Sequence, residues 1–336
     1  MRTKYILFRN YRATLLGVFI NYIMIKKIIN FLLKLGIVTA LLTSILPNIF
    51  PNYWLIDILS NFKLQISLFL LVVFVINLFS NKSKIIGIIS FLLILWNASY
   101  IYSLYFPSKL GEIHKLRGTT IVSINLLSSN NDSEKVIDFI KTKSPDILIL
   151  LEYNQKWKSA LSDITEQYTF KKWVLRKDNF GIGYYSKIAS EMSVLNFDSS
   201  KVPSILASLK IDDKPIDIIA THPFPPMGKR NFDIRNAHFK NLAKKTKELS
   251  ENLIVIGDLN TSSYSKHFQD LLLNTNLRDS RNGLGILPTW PTMFTILNTT
   301  LDHALISKAI SVIDRGTGPN IGSDHLPIFM EFRIKD

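Results

Sequence analysis

The sequence predicts an α/β domain that follows an apolar, helical N-terminal third. Two observations support this division. Residues 1–106 hold ten basic residues and one acidic residue, whereas the remainder holds 30 and 25 of the chain's 40 and 26. From residue 119 onward, β-branched apolar runs alternate with amphipathic stretches, which is typical of strands and helices packed in layers. We therefore divide the chain into an apolar segment (1–106), a polar linker (107–118) and a globular domain (119–336).

Three apolar runs in the first third are candidates to cross a bilayer as helices: residues 28–46, 64–79, which can be extended back towards Trp54, and 85–106. About 20 apolar residues span the hydrocarbon core. The third run also crowds aromatic rings into its second half, as expected near a membrane interface. A buried soluble core is the alternative, but three such runs would need a much larger protein around them. We predict a membrane anchor of about three transmembrane helices.

Basic residues predict the orientation of this anchor. Lys26 and Lys27 precede the first run, and Lys82 and Lys84 lie between the second and third. Because such residues favour the cytoplasmic side, three spans leave the globular domain on the outer face. A cleavable signal peptide over 26–44 is the rival interpretation, but it leaves the two later runs unexplained.

The segment before the first run is also apolar, but at thirteen residues (13–25) it is short for a span. Met24 is followed by Ile-Lys-Lys and a long apolar run, which is typical of a translation start. We therefore expect the residues before Met24 to be an extension.

The elements of the globular domain follow from periodicity. Apolar, β-branched runs predict strands at 119–127, 146–152, 171–175, 182–185, 204–211, 216–221, 252–257, 303–306 and 328–334. Apolar residues at helical spacing predict helices at 132–143, 232–250 and 265–274. The pattern predicts helices layered on sheet.

Acids, amides and histidines stand where the predicted core strands end or begin. They are Asn125, Glu152, His222, Asp258 with Asn260, Asp302, and Asp324 with His325. Each alone has a structural explanation, because Asn and Asp cap helices and form turns. As a set, they match what a hard-cation site with a general base requires. Mg²⁺ takes oxygen ligands, and a histidine can take a proton from water.

The motifs around these residues resemble those of the endonuclease/exonuclease/phosphatase superfamily. They are Ser-Ile-Asn125, Leu-Glu152, Thr-His222-Pro, Gly-Asp258-Leu-Asn260, Leu-Asp302-His and Gly-Ser-Asp324-His325-Leu-Pro. The order and spacing agree from about residue 119 to the end. The resemblance implies a four-layer α/β sandwich, in which two mixed sheets pack face to face with helices outside. The anchor, with Thr-His-Pro-Phe-Pro-Pro and Pro-Thr-Trp-Pro, is similar to a membrane-bound bacterial branch.

The resemblance also implies a divalent metal, Mg²⁺ or Mn²⁺. Glu152 would be its principal ligand, with Asn125 and Asp324 beside it. A metal there would screen the charge of a phosphate and of its transition state.

For proton transfer, the resemblance assigns His325 as the general base that takes a proton from the attacking water. Asp302 would hold that imidazole and fix its tautomer. Asp258 and Asn260 would position the water and bind the oxygens on phosphorus. His222 would donate to a phosphate oxygen or assist the leaving group.

Three further residues are candidate substrate ligands. Arg230 and Arg235 follow the His222 loop and suit a phosphate clamp, although a solvated helix face explains them at least as well. Trp290 is either a lid over the substrate or a packing residue among prolines. We expect the three histidines without an evident partner to lie on the surface: His114, His238 and His267.

Together, these inferences predict a membrane-anchored, metal-dependent hydrolase of a phosphodiester or phosphomonoester. A nuclease and a phospholipid-type hydrolase compete, because a net charge of +5 after residue 106 supports nucleic acid only weakly. The absence of cysteine excludes a thiolate site or nucleophile. The predicted partners are the substrate and the bilayer, with no obligate protein partner. The alternative is a catalytically degenerate, membrane-tethered binding module, against which the intact polar set argues.

Overall fold

The computed structural model describes residues 2–80, 83–106 and 118–335. Its first part is helical, with a 3₁₀ turn at Ser60–Phe62. The helices are α1 (Arg2–Ile49), α2 (Trp54–Leu59), α3 (Lys63–Ser80) and α4 (Lys84–Tyr105). In the predicted linker, all but Gly118 lie outside the described residues, as does Lys82.

Three stretches of these helices are long and apolar enough to cross a membrane: Asn21–Ile49, Trp54–Phe79 and Lys84–Tyr105. They contain the three predicted apolar runs, except that the third ends at Tyr105 instead of residue 106. Only 11%, 17% and 22% of the most apolar part of each stretch is buried. Apolar side chains therefore face outward, which helices in water avoid. A small core of Ala40, Leu70 and Leu93 joins them.

The globular domain contains twelve strands in two mixed sheets. The strands are β1 (Thr119–Asn125), β2 (Ile147–Leu151), β3 (Phe170–Val174), β4 (Ile182–Ser186), β5 (Ser190–Asn196), β6 (Pro203–Ile211), β7 (Lys214–Ala220), β8 (Leu253–Asp258), β9 (Arg278–Asp279), β10 (Asp302–Ile306), β11 (Ile310–Thr317) and β12 (Ile328–Ile334). The first sheet has the order β11-β12-β1-β2-β4-β3, and the second has the order β5-β6-β7-β8-β10-β9.

Helices cover the outer face of each sheet. They are α5 (Ser133–Lys143), α6 (Gln155–Ala160), α7 (Ser162–Thr165), α8 (Lys229–Lys245) and α9 (Lys266–Thr275). The core between the sheets includes Ile149 of β2 and Ile256 of β8. One further core joins α5 to the first sheet, and another joins α8 and α9 to the second. The predicted four-layer sandwich is confirmed.

The strand directions bring the predicted polar residues to one edge of the sandwich. β1 and β2 run parallel, as do β7 and β8. β12 is antiparallel to β1, and β10 is antiparallel to β8. The ends of β1 and β2 therefore lie at the same edge of the first sheet as the beginning of β12, and the ends of β7 and β8 lie at the same edge of the second sheet as the beginning of β10.

The other predicted elements are present with ends shifted by at most two residues, but the predicted helix 232–250 begins at Lys229 and changes to a 3₁₀ turn at Thr246–Glu248. Strands β5, β9 and β11 were not predicted. All three are edge strands, and β5 has only half-buried and exposed residues. Edge strands carry a weaker apolar signal because they have fewer neighbours to pack against.

Candidate active site

A hydrogen bond between the two sheets links the first pair of predicted residues. The Asn125 amide, at the end of β1, donates to Asp258 Oδ2 at 3.2 Å. Asp258 ends β8 and lies in register with Asp302 at the start of β10. All three side chains are buried. The site is therefore centred on the seam where the sheets meet.

The glycine before Asp258 allows the neighbouring strands to approach closely. A Cβ at Gly257, whose φ is 143°, would lie 2.0 Å from the carbonyl oxygen of Thr221. This close packing brings His222, the next residue, to the same carboxylate, with Nε2 3.4 Å from Asp258 Oδ2. The other oxygen of Asp258 accepts the Asn260 backbone N–H at 2.8 Å.

His325 completes the connection between the sheets. Its Nδ1 lies 2.7 Å from Asp302 Oδ2, and its Nε2 lies 3.6 Å from Asp258 Oδ2. The turn before it requires glycine, because a Cβ at Gly322 would lie 2.6 Å from the Asn130 Oδ1 and φ is 87°. We call Asn125, Glu152, His222, Asp258, Asp302, Asp324 and His325 the active-site cluster.

Glu152 and Asp324 bring two more carboxylates to this edge. Glu152 is buried with a left-handed backbone (φ 55°) and accepts the Ser128 N–H at 2.8 Å. Such strained positions are concentrated at functional sites. Asp324 Oδ2 accepts the indole N–H of Trp290 at 3.3 Å, while its buried Oδ1 has no partner.

The carboxylates shift the proton affinity of both histidines. Burial alone lowers the pKa of His325, but the charges of Asp302 and Asp258 outweigh burial and raise the pKa to about 10. Burial also lowers the pKa of His222. The hydrogen bond and charge of Asp258, with the charge of Glu152, outweigh burial and raise this pKa above its ordinary value. Both imidazoles are therefore stabilised in the protonated form.

The donor set fits a hard divalent cation. Four carboxylates face two imidazoles, so negative charge exceeds what the histidines can neutralise. Ligand atoms of Asp258, Asp302 and His325 lie within 4.8 Å of one another. These three residues could therefore hold a cation together, and the predicted ligands Glu152, Asn125 and Asp324 offer further oxygens of the kind that Mg²⁺ prefers.

The three predicted substrate ligands lie in different places. Trp290 is at the site, with its ring centroid 6.5 Å from that of His325. Arg230 is exposed near the start of α8, beside Ser199 and Asp233.

Arg235 is fully buried, and its guanidinium lies 2.7 Å from Asp57 of α2. The same carboxylate accepts the Ser265 hydroxyl at 2.6 Å. Because its guanidinium pairs with Asp57, Arg235 lies outside the active-site cluster. We call Asp57, Arg235, Ser265 and the Pro51–His267 contact the anchor joint.

The expectation that the unassigned histidines lie on the surface was wrong for two of them. His238 is fully buried between Asp198, at 2.8 Å, and the Thr221 hydroxyl, at 2.8 Å. His267 is half-buried, and its Nε2 lies 2.9 Å from the Pro51 carbonyl oxygen. His114 lies outside the described residues.

Sequence reasoning missed both the support beneath His222 and the anchor joint. Asp198, His238 and Thr221 form a buried chain behind the His222 loop, and no local pattern marks them. The joint did have a signal, because Asp57 is the only acidic residue among the first 106. A lone acid in an apolar segment indicates a buried partner.

A two-sheet sandwich with acids, amides and histidines at the seam defines a class of phosphoesterase and nuclease folds. The model of the Endonuclease/Exonuclease/phosphatase family matches residues 122–325. The chain belongs to this family. None of the curated proteins matches its sequence.

Solved structures share the fold at low sequence identity. TDP2 from D. rerio, complexed with a single strand DNA product, is 16% identical with a TM-score of 0.53, over 64% of this chain and 98% of that one. The human Nocturnin catalytic domain, with a bound sulfate anion, is 17% identical with a TM-score of 0.52, over 66% and 96%. An endonuclease/exonuclease/phosphatase from Beutenbergia cavernae is 14% identical with a TM-score of 0.52, over 66% and 72%.

Proposed function

We propose that this protein is a membrane-anchored, divalent-metal-dependent phosphoesterase. The observation that carries the proposal is the buried chain Asp302–His325–Asp258, to which Asn125 donates from the opposite sheet. A structural role alone would not favour packing several carboxylates together, because each buried charge carries a desolvation cost.

Each member of the cluster has a distinct role in the proposed hydrolysis. Asp302 fixes the His325 ring through Nδ1, which leaves Nε2 directed towards Asp258. Water held at this pair passes its proton to the pair as its oxygen bonds to phosphorus, and the P–O bond to the leaving alcohol breaks. His222, whose Nε2 faces the same oxygen of Asp258, and Asn260 would donate to the phosphate oxygens.

Glu152, Asn125 and Asp324 would hold the metal. When bound, a divalent cation supplies positive charge that screens the phosphate and lowers the barrier to attack by water. The partnerless Asp324 Oδ1 supports this assignment, because buried oxygens without a partner are rare in native proteins.

The proposed location is a bacterial inner membrane with the domain outside. Three apolar helices and the basic residues Lys26, Lys27 and Lys84 at one end of the bundle support it. The Asp57–Arg235 ion pair would hold the domain against the opposite end.

A phosphoester is the proposed substrate class. The DNA product in the similar TDP2 structure makes nucleic acid one candidate, and the anchor makes a lipid headgroup another.

The test uses the full chain in detergent, with a soluble phosphodiester and a soluble phosphomonoester as substrates. We expect hydrolysis with Mg²⁺ or Mn²⁺ and its loss with EDTA. Glu152→Gln should reduce the rate at saturating Mg²⁺ and raise the Mg²⁺ concentration needed for half-maximal activity. Glu191→Gln, which changes an exposed glutamate on β5, is the matched control and should leave both unchanged.

Equal rates for wild type and Glu152→Gln would show that this site does not perform the hydrolysis. No hydrolysis of any phosphoester, with metal binding retained, would favour the degenerate binding module.

A further inference from the structure

The loop before Asp302 carries an exposed apolar patch. Met293, Phe294, Ile296 and Leu297 are 81%, 62%, 84% and 45% exposed. In the described part of the domain, residues 118–335, only four other large hydrophobic side chains are exposed. Such clustering marks an interaction surface. We call residues 293–297 the apolar loop.

The apolar loop is attached to the active-site cluster at its first end. The Thr292 N–H donates to the Asp324 carbonyl oxygen at 3.0 Å, and its hydroxyl donates to the Ser323 carbonyl oxygen at 2.9 Å. Within the loop, the Leu297 N–H donates to the Phe294 carbonyl oxygen at 2.9 Å. The loop therefore has a defined backbone beside a proposed metal ligand.

At its second end, the apolar loop is attached to a candidate membrane span. The Gln65 amide, in the first turn of α3, donates to the carbonyl oxygens of Ile296 and Asn298, both at 3.1 Å. Asp302 is four positions after Asn298, so at most about 14 Å of chain lies between this contact and the cluster. The exposed side chains of α3 beyond Gln65, such as Leu68 and Leu71, are apolar.

The end of α4 contacts residues 283–285, which precede the apolar loop in the chain. The N–H groups of Gly283 and Gly285 donate to the carbonyl oxygens of Ser103 and Leu104, at 3.1 and 2.7 Å. Tyr102 and Tyr105, at this end of the helix, are exposed, as expected for rings at an interface. The ends of two apolar helices thus meet the chain that leads into the active site.

We propose that the apolar loop lies in the lipid interface and that the site acts on the phosphoester headgroup of a membrane lipid. This rests on the proposed function. The loop is continuous with the membrane-facing helices, so lipid is the occupant that the surroundings favour. In the reaction, the water oxygen bonds to phosphorus and one P–O ester bond breaks. The water proton goes to the active-site cluster, and the leaving alcohol takes up a proton.

The first test measures the depth of the loop without relying on activity. Because the chain lacks cysteine, Phe294→Cys gives a single attachment point for a polarity-sensitive fluorophore. Leu273→Cys, at an exposed leucine on α9, is the matched control. With full-length protein in phosphatidylcholine–phosphatidylglycerol vesicles, we expect brominated lipid to quench the Phe294→Cys probe and iodide to quench the control. Iodide quenching of both probes alike would overturn the proposal.

The second test compares substrates. We expect the wild type to hydrolyse phospholipid in its own vesicles. Met293→Ser/Ile296→Ser should lower the ratio of lipid to soluble-diester hydrolysis about 10-fold or more, given the free energy of burying two such side chains. Leu273→Ser should leave the ratio unchanged. Hydrolysis of the soluble diester or single-stranded DNA but not of lipid would overturn this inference and leave the proposed function intact. No hydrolysis of any ester would instead contradict the proposed function.

Discussion

The active-site cluster and the anchor joint are both buried and polar, but their charges are balanced differently. In the anchor joint, one carboxylate, Asp57, faces one guanidinium, Arg235, and also accepts the Ser265 hydroxyl. The charges of this ion pair cancel within the folded chain. Its contribution is to hold α2 against α8 and α9.

The active-site cluster has more carboxylates than imidazoles, and some of its atoms lack partners. His222 Nδ1 and Asp324 Oδ1 are buried without a hydrogen bond. Arg235 Nη1 of the anchor joint is buried without a hydrogen bond too, so unpaired atoms occur in both regions. Charge balance is what separates them: the anchor joint pairs one carboxylate with one guanidinium, whereas the active-site cluster has an excess of carboxylates that a cation would balance.

The largest expected effect is a loss of kcat when a histidine of the active-site cluster is replaced but not when a histidine of the anchor joint is replaced. His325→Ala should lower kcat for a soluble phosphodiester by about 10²–10⁴-fold, the usual contribution of a proton-transfer group. His267→Ala removes a histidine of the anchor joint and should leave kcat near that of the wild type. Steady-state kinetics of both variants, with near-ultraviolet circular dichroism as a check of folding, makes the comparison. Similar losses in both would contradict the separation of the two regions.

The second prediction concerns the ion pair of the anchor joint. Arg235→Met leaves the Asp57 carboxylate buried without its cation and should cost about 3–5 kcal/mol in free energy of unfolding. Asp57→Leu/Arg235→Met removes both charges and should recover most of that loss. Denaturant unfolding of the full chain in detergent measures both values. A double variant as unstable as the single one would show that the pair is not the source of the stability.

The residues of the active-site cluster could be picked out from the sequence because they lie in short motifs at the ends of predicted strands. Gly257 before Asp258 and Gly322 before His325 have a positive φ and no room for a Cβ. Each motif therefore contains both a polar site residue and the glycine that its turn requires. Buried strands such as β2 and β8 were predictable too, since each contains an unbroken run of Leu, Ile and Val.

The anchor joint and the apolar loop were not predictable, because their contacts join distant parts of the chain. In the sequence, Arg235 is indistinguishable from a solvated helix residue, because its partner Asp57 lies in the distant helix α2. Gln65 and Ile296 are 231 residues apart, and neither lies in a recognisable motif. The spacing of apolar residues predicts single helices and strands. It does not show which face of the domain packs against the anchor.

The smallest expected effect tests how the active-site cluster holds its proton. The charge of Asp302 is the leading cause of the raised pKa of His325, so Asp302→Asn should lower that pKa by about 1–3 units. If His325 acts as a base, activity rises with pH through its pKa, and the rising limb moves to lower pH in the variant. If it acts as an imidazolium, activity falls with pH, and the falling limb moves to lower pH instead. The dependence of kcat/KM on pH, for wild type and variant at saturating Mg²⁺, distinguishes the two roles. A profile with the same limbs in both proteins would show that the His325 proton does not govern the rate.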